Sequence, residues 1–113
     1  MKRKSLRFGK GFRVAIGNAR GNAAEMSIPA GESEGDSHNR HPGADQWLFV
    51  VEGRGVARVN GKRYPLHKGS LMLIEAGDRH EIHNSGGELL RTLNIYVPPG
   101  YKKSGEPLPR ARS

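Results

Sequence analysis

The sequence contains no cysteine and few aromatic residues: one Trp, three Tyr and three Phe among 113 residues. The absence of cysteine excludes disulfides, thiolate metal ligands and cysteine nucleophiles, and it is typical of a cytoplasmic protein. No apolar run approaches the roughly 18 residues of a membrane-spanning helix, and no apolar stretch of about 7–15 residues follows the basic start, as a secretory signal requires. We therefore expect a cytoplasmic chain with no membrane partner.

Positive charge is abundant, and its excess over negative charge is confined to the two ends of the chain. Lys and Arg number 19 against 11 Asp and Glu, which gives a formal net charge of +8. Residues 1–13 carry six bases and no acid, and residues 101–113 carry four bases and one acid, so the stretch between them is nearly neutral. Binding of single-stranded nucleic acid also uses aromatic side chains that stack on bases, and the first segment offers only Phe8 and Phe12. We expect solvated ends rather than a nucleic-acid interface.

Glycine and proline, 16 and seven residues respectively, separate short runs that predict strands. The runs fall at residues 12–16, 24–28, 47–51, 56–59, 62–64, 71–74, 80–84 and 89–97, with a loop over 32–46. Asn60-Gly61 supplies the two left-handed positions that a type I′ hairpin turn requires. Strands this short, with turns about every 8–12 residues, are typical of an all-β sandwich, jelly roll or small barrel.

The length of the chain fits one domain, since single domains commonly contain about 100–150 residues. We place a β-barrel domain at residues 12–100. A basic N-terminal arm at residues 1–11 and a C-terminal tail at residues 101–113 are expected to be flexible, because their composition offers little apolar surface to bury.

Alternation along the strands assigns side chains to faces. Because alternate residues of a strand share a face, His80, Ile82 and Asn84 should point one way, with Glu81 and His83 opposite. Four further large side chains are expected to lie in the core or to line a pocket: Trp47, Phe49, Tyr64 and Met72.

Two clusters of residues, about forty positions apart, carry the motifs of this sequence. The first consists of Gly35, His41, Gln46 and Gly53. The second consists of Gly69, Glu75, Gly77, His80 and Asn84. Together they resemble the two motifs of the cupin superfamily, in which a glycine precedes a His-x-His pair, a glutamate and a glycine, and a second stretch runs glycine, proline, glycine, histidine, asparagine. The resemblance covers residues 12–100 and implies a double-stranded β-helix, the jelly-roll barrel of that family.

The resemblance also implies one divalent metal ion in the barrel, which the family holds with three histidines and a carboxylate. Counting back from Gln46 places the histidine pair on Asn39 and His41, whereas the glycine spacing places it on His41 and Gly43. The candidate ligands are therefore His41, Gln46 and His80, with Asn39 as a further possibility. Amide oxygens are weaker ligands than imidazole or carboxylate, and Fe, Mn, Ni and Zn are not distinguished by this set.

For function, the resemblance implies a dioxygenase, isomerase or decarboxylase that acts on a small oxygenated organic molecule. Glu75, which stands where the family motif has proline, is the candidate general base, with His83 and Tyr64 as alternatives. The alternative is a non-catalytic cupin that binds or senses a small ligand with a degenerate or absent metal site. We also expect a homodimer, in which an edge strand at residues 12–16 adds to the sheet of the partner.

Overall fold

The structure, a computed structural model, describes residues 1–35 and 43–99. This described part contains nine β-strands and no helix that is long and apolar enough to cross a membrane. The strands are β1 Gly11–Asn18, β2 Gly21–Ile28, β3 Ser33–Gly35, β4 Asp45–Glu52, β5 Gly55–Val59, β6 Lys62–Leu66, β7 Leu71–Ile74, β8 His80–His83 and β9 Leu90–Val97. The predicted all-β fold is confirmed.

The strands form two antiparallel sheets that face each other. One sheet has five strands in the order β1-β2-β9-β4-β7, and the other has four in the order β3-β8-β5-β6. Strands distant in sequence are neighbours in both sheets, as in a jelly roll. Strand β3 lies within the segment that was expected to be a loop, because its three exposed residues, Ser33, Glu34 and Gly35, show no apolar alternation.

Turn geometry follows the sequence at the hairpin and at the motif glycines. Asn60 and Gly61, between β5 and β6, have φ of 50° and 82°, which confirms the predicted left-handed pair. Gly53, which ends the first motif, has φ of 90°. A Cβ at Gly53 would also lie 2.5 Å from the carbonyl oxygen of Leu89, so only glycine fits this crossing.

The core lies between the two sheets and is formed by the inward residues of alternate positions. Its fully or nearly buried members are Met26, Ile28, Leu48, Val50, Ala57, Leu66, Ile74, Ile82 and Leu90. Met72 is half-buried and packs against this cluster, as expected. His80, Ile82 and Asn84 are all buried, which confirms the predicted face of this segment.

Two of the aromatic residues lie on the opposite side from the expected one. Trp47 and Phe49 were predicted to be core or pocket residues, and they are 42% and 39% exposed. Gln46 and Leu48 are buried in the same strand, so alternation turns Trp47 and Phe49 to the outside of the five-stranded sheet. Tyr64, on the edge strand β6, is exposed as well.

The first ten residues lie against the outer side of the sheet near β1 and β2. Ser27 Oγ donates a hydrogen bond to the carbonyl oxygen of Phe8 (2.9 Å), and Lys2 Nζ donates to the carbonyl oxygen of Gly17 (2.7 Å). Ser27 is buried although it lies on β2 between the inward residues Met26 and Ile28. The arm therefore covers this edge of the sheet.

Candidate functional site

His80 opens strand β8 and points into the barrel, where only 4% of its surface is exposed. Burial lowers the pKa of its imidazole below the ordinary value, and this effect outweighs the nearby carbonyl and carboxylate of Asp78, which act in the opposite direction. Nδ1 lies 3.4 Å from the carbonyl oxygen of Asp78. A proton on Nδ1 places the lone pair on Nε2, so a neutral His80 has the form in which imidazole binds a metal.

Gln46, the second residue of β4, carries an unsatisfied acceptor inside the barrel. The side chain is 2% exposed, and its Oε1 is buried with no hydrogen-bond partner among the described residues. Leaving a buried acceptor unpaired costs about 1–3 kcal/mol. Native proteins keep few such groups, and they often mark a ligand or ion site.

The turn between β7 and β8 brings these two residues to the same end of the barrel. The backbone N–H of Ala76 in this turn donates to Asp45 Oδ1 at 2.8 Å, next to Gln46 in β4. The turn ends at Arg79, directly before His80. Gln46 thus enters the interior from the five-stranded sheet, and His80 enters it from the four-stranded sheet.

Hydrogen bonds hold this turn in one geometry. The backbone N–H of Glu75 donates to Asp78 Oδ2 (2.9 Å), and Asn60 Nδ2 donates to Asp78 Oδ1 (2.9 Å). The backbone N–H of Arg79 donates to Asn60 Oδ1 (3.0 Å). The hairpin between β5 and β6 is therefore tied to the turn that positions His80.

Strand β9 contributes a polar row to the interior that the sequence reasoning missed. Thr92, Asn94 and Tyr96 are all buried and share the inward face with Leu90. Thr92 Oγ1 donates to Asn94 Oδ1 at 2.9 Å, and Asn94 Nδ2 lies 3.4 Å from the hydroxyl of Tyr96. The sequence could have shown this row, because alternation from an inward Leu90 assigns all three residues to the same face of the strand.

Among the described residues, the side chains near His80 and Gln46 are polar and uncharged. Gln46 lies opposite Tyr96 in the strand register, and Asn22 on β2 lies opposite Tyr96 from the other side. All of these side chains can exchange hydrogen bonds with an oxygen-rich ligand. Buried pockets with a few converging polar groups are the usual form of a small-molecule site.

The donor set for a metal ion is only partly visible. Within residues 1–35 and 43–99 there is no cluster of three or more His, Asp or Glu side chains that could hold a metal ion. His80 and Gln46 offer one imidazole nitrogen and one amide oxygen, both of which bind divalent cations. The other two candidate ligands, Asn39 and His41, lie outside the described residues. The visible residues fit a metal ion as part of a donor set that is neutral in charge.

The structure also describes two further motif residues, Glu75 and Asn84. Glu75 is exposed in the turn, and the contact described for it uses its backbone N–H, so its role as acid or base stays a prediction. Asn84 is fully buried, and its Nδ2 donates to the carbonyl oxygens of Ile28 and Glu88, both at 2.7 Å. Asn84 therefore ties the end of β2 to the turn between β8 and β9.

Comparison with known proteins places this geometry in a family. The family model for the cupin domain matches residues 24–96, which span β2 to β9. This match covers the strands that carry Gln46, His80 and the polar row of β9.

Curated relatives include proteins of several descriptions. The chain is 32% identical over 79 residues to the tetracenomycin polyketide synthase protein TcmJ of Streptomyces glaucescens, a match covering 70% of this chain and 52% of that protein. It is 31% identical over 74 residues to the oxalate-binding protein of Thermotoga maritima, covering 66% of this chain and 60% of that protein. The uncharacterized protein YrkC of Bacillus subtilis is 30% identical over 105 residues, 88% of this chain and 50% of that protein. The chain spans about half the length of the curated relatives it matches.

Solved structures share the fold. A Bacillus halodurans protein, BH2720, superposes with a TM-score of 0.77 at 27% identity, covering 89% of this chain and 77% of that chain. The crystal structure of a predicted oxalate decarboxylase from Thermotoga maritima gives a TM-score of 0.63 at 30% identity, covering 68% of this chain and 65% of that chain.

Proposed function

The chain belongs to the cupin family, and we propose that its barrel binds one divalent metal ion together with a small oxygenated organic molecule. His80 and Gln46 are the described ligands in this proposal, and His41 and Asn39 complete the donor set. The observation that carries the proposal is the buried, unpartnered Oε1 of Gln46 at the same end of the barrel as a neutral His80.

The cost of that orphan acceptor supports a bound group. An unpaired buried acceptor costs about 1–3 kcal/mol. A cation, or a hydrogen-bond donor on a ligand, would satisfy Gln46 Oε1 and recover much of this cost. The pKa of His80 is lowered by burial, so the imidazole can bind a cation at neutral pH without first losing a proton. Both features favour occupancy of this part of the barrel.

The chemistry that a metal would supply fits the reactions expected from the family. A bound divalent ion acts as a Lewis acid on a carbonyl or carboxylate oxygen. The chain's own hydrogen-bonding groups, Gln46, Asn94 and Tyr96, would orient the oxygens of the ligand, and burial excludes water. A dioxygenase, isomerase or decarboxylase is the proposed class of enzyme, with Glu75 as the proposed acid or base.

A non-catalytic ligand-binding protein is the second candidate, and the polar, uncharged side chains that the described strands place in the interior favour it. Asn22, Gln46, Thr92 and Asn94 are buried, and each offers an amide or hydroxyl group. Such a lining binds a polyoxygenated molecule by hydrogen bonds alone. One relative is an oxalate-binding protein, so oxalate is a suitable probe for both candidates.

Thermal unfolding distinguishes the two candidates. We expect Mn²⁺, Ni²⁺ or Zn²⁺ to raise the melting temperature of the full chain after chelator treatment, since saturation at about 100 times the Kd adds about 2.7 kcal/mol. Oxalate should then stabilise the protein only when the metal is present. Equal stabilisation by oxalate in chelator would favour the metal-free ligand-binding protein, and no response to any metal would contradict the first proposal.

The proposal also includes a cytoplasmic location and self-association as a homodimer. Cell fractionation with an antibody to the chain tests the location.

A further inference from the structure

The outer side of the four-stranded sheet has a small cavity with a cluster of basic side chains. The cavity has a volume of about 270 Å³ and is lined, within the described residues, by Val56, Arg58, Arg63, Glu81 and His83. The two arginines are exposed, and the other three residues are half-buried. We call this site the outer cavity.

Strand register brings the two arginines of the outer cavity together. Arg58 on β5 lies directly opposite Arg63 on β6 and, on its other side, opposite Glu81 on β8. Side chains opposed in this way have Cβ atoms about 4.5–5.5 Å apart, and like charges at that distance destabilise the pairing of the strands. Glu81 offsets one of the two positive charges, so one remains in excess. An anion bound between the arginines removes this repulsion.

His83 adds a ring nitrogen to the same cavity. It lies opposite Val56 on β5, and Arg58 is its diagonal neighbour on that strand. Diagonal neighbours are about 7–8 Å apart, which long side chains can span. Nδ1 of His83 lies 2.7 Å from Ser33 Oγ on β3, so Nε2 is the ring nitrogen that a ligand can contact. When the hydroxyl donates to Nδ1, the ring proton is on Nε2, which can donate to an anion.

These donors match a phosphoryl group better than a carboxylate. A phosphoryl group has three acceptor oxygens and close to two negative charges, whereas a carboxylate has two oxygens and one charge. Guanidinium groups bind phosphate oxygens in a bidentate manner. The cavity is smaller than the roughly 300–1,000 Å³ of most small-molecule sites. It therefore holds a phosphoryl group and the atoms next to it rather than a whole cofactor.

The charges around the cavity favour a small phosphorylated molecule over a polyanion. Glu81 lines the cavity, and Glu32 and Glu34 are exposed on either side of Ser33. A nucleic acid carries a phosphate at every nucleotide and is bound by a patch or row of basic residues. The three carboxylates interrupt such a row, whereas a single phosphoryl group needs only the donors inside the cavity.

We propose that the outer cavity binds the phosphoryl group of a small phosphorylated molecule, which Arg58, Arg63 and His83 hold. This site is separate from the interior site, because Glu81 and His83 alternate along β8 with the buried His80 and Ile82. It requires no metal ion, so it goes beyond the proposed function and does not depend on it.

Titration of the full chain with phenyl phosphate tests the two arginines. The protein is kept in chelator, so that a metal ion in the barrel cannot contribute. We expect one site with a Kd of about 1 mM or lower, which a few charge-assisted hydrogen bonds supply. Arg58→Gln and Arg63→Gln should each raise the Kd about tenfold, because each removes a charged donor. Arg20→Gln is the matched control, since it removes the same charge from the exposed turn between β1 and β2 and should leave the Kd unchanged.

NMR signals of the histidine rings give a second readout from the wild type alone, which does not depend on the folding of any variant. Phenyl phosphate should shift the ring signals of His83 and leave those of the exposed His67 unchanged. Equal shifts at both residues would indicate unspecific binding and would overturn the proposal. A shift at His80 with none at His83 would assign the phosphate to the barrel interior and would also overturn it.

The affinities provide the remaining outcomes. Circular dichroism should show that the variants are folded, because both arginines are exposed and glutamine is solvated in their place. Absence of saturable binding to the wild type, or the same Kd in wild type, Arg58→Gln and Arg63→Gln, would contradict the site. A single-stranded oligonucleotide that binds more tightly than phenyl phosphate, and that loses affinity in both variants, would assign the cluster to a nucleic-acid backbone instead. Metal binding is measured separately, so this proposal and the proposed function can fail independently.

Discussion

Asn60 Nδ2 donates a hydrogen bond to Asp78 Oδ1 at 2.9 Å, and this bond joins the β5–β6 hairpin to the turn that precedes His80. Asn60 also accepts the backbone N–H of Arg79 through Oδ1 and donates its own N–H to the carbonyl oxygen of Arg79 (2.8 Å). One residue therefore supplies the left-handed turn conformation and three hydrogen bonds to the segment that positions a candidate ligand.

Replacing Asn60 tests this relationship. Asn60→Gly keeps a residue that accepts φ of 50° but removes both side-chain bonds, so we expect a loss of about 1–3 kcal/mol in the free energy of unfolding. The control is Asn18→Gly, which removes one exposed hydrogen bond, donated by the backbone N–H of Arg20 to Asn18 Oδ1, and should cost less. Urea unfolding measures both. Equal losses for the two variants would contradict the role of Asn60.

Gln46→Glu tests whether Gln46 contacts a cation. In chelator, a buried carboxylate should destabilise the fold relative to wild type, whereas a divalent ion should bind at least about tenfold more tightly, because an anionic oxygen offsets its charge. Gln46→Leu is the matched variant. It removes the orphan acceptor, so it should unfold at the same or a higher urea concentration than metal-free wild type and should bind metal more weakly. Isothermal titration with Mn²⁺ or Ni²⁺ measures the affinities, and unchanged metal affinity in both variants would contradict the contact.

The lowered pKa of His80 predicts the pH dependence of metal-free stability. The folded protein binds this proton less readily than the unfolded chain, whose histidine has a pKa of about 6.5. The contribution of His80 to the free energy of unfolding is therefore fully present above the unfolded pKa of about 6.5. It is lost as the pH falls from there towards the lower pKa of the folded protein. His80→Asn should flatten the dependence between about pH 7 and pH 5, whereas His67→Asn, at an exposed histidine, should not. Urea unfolding in chelator measures the free energy of unfolding at each pH. The same pH dependence in His80→Asn and wild type would exclude burial of a neutral imidazole.

The hairpin and the face of residues 80–84 could be predicted from the sequence because each depends on local rules. Asn60-Gly61 has few other conformations open to it, and alternation fixed the common face of His80, Ile82 and Asn84. The family resemblance, carried by motif spacing, led to the correct fold. These signals lie within a few neighbouring residues, so one sequence was sufficient.

The positions that could not be predicted depend on contacts between distant strands. Trp47 and Phe49 are strongly apolar, which favoured the core, but the polar Gln46 occupies the inward position of the same strand. Only the pairing of β4 with β7 and β9 shows that the apolar residues collect outside. Alternation could have given the inward face of β9, but the position of Asn94 and Tyr96 at the site depends on the pairing of β9 with β4.

The metal content of the protein purified without chelator tests the central claim most directly. Elemental analysis by mass spectrometry should find about one divalent ion per chain in the wild type, and this ion should be lost in His80→Ala and retained in His67→Ala. His67 is exposed and lies outside the barrel interior, so it controls for adventitious binding to surface histidines. Equal metal content in His80→Ala and wild type, or no metal in the wild type even after reconstitution, would contradict a metal site formed by His80 and Gln46.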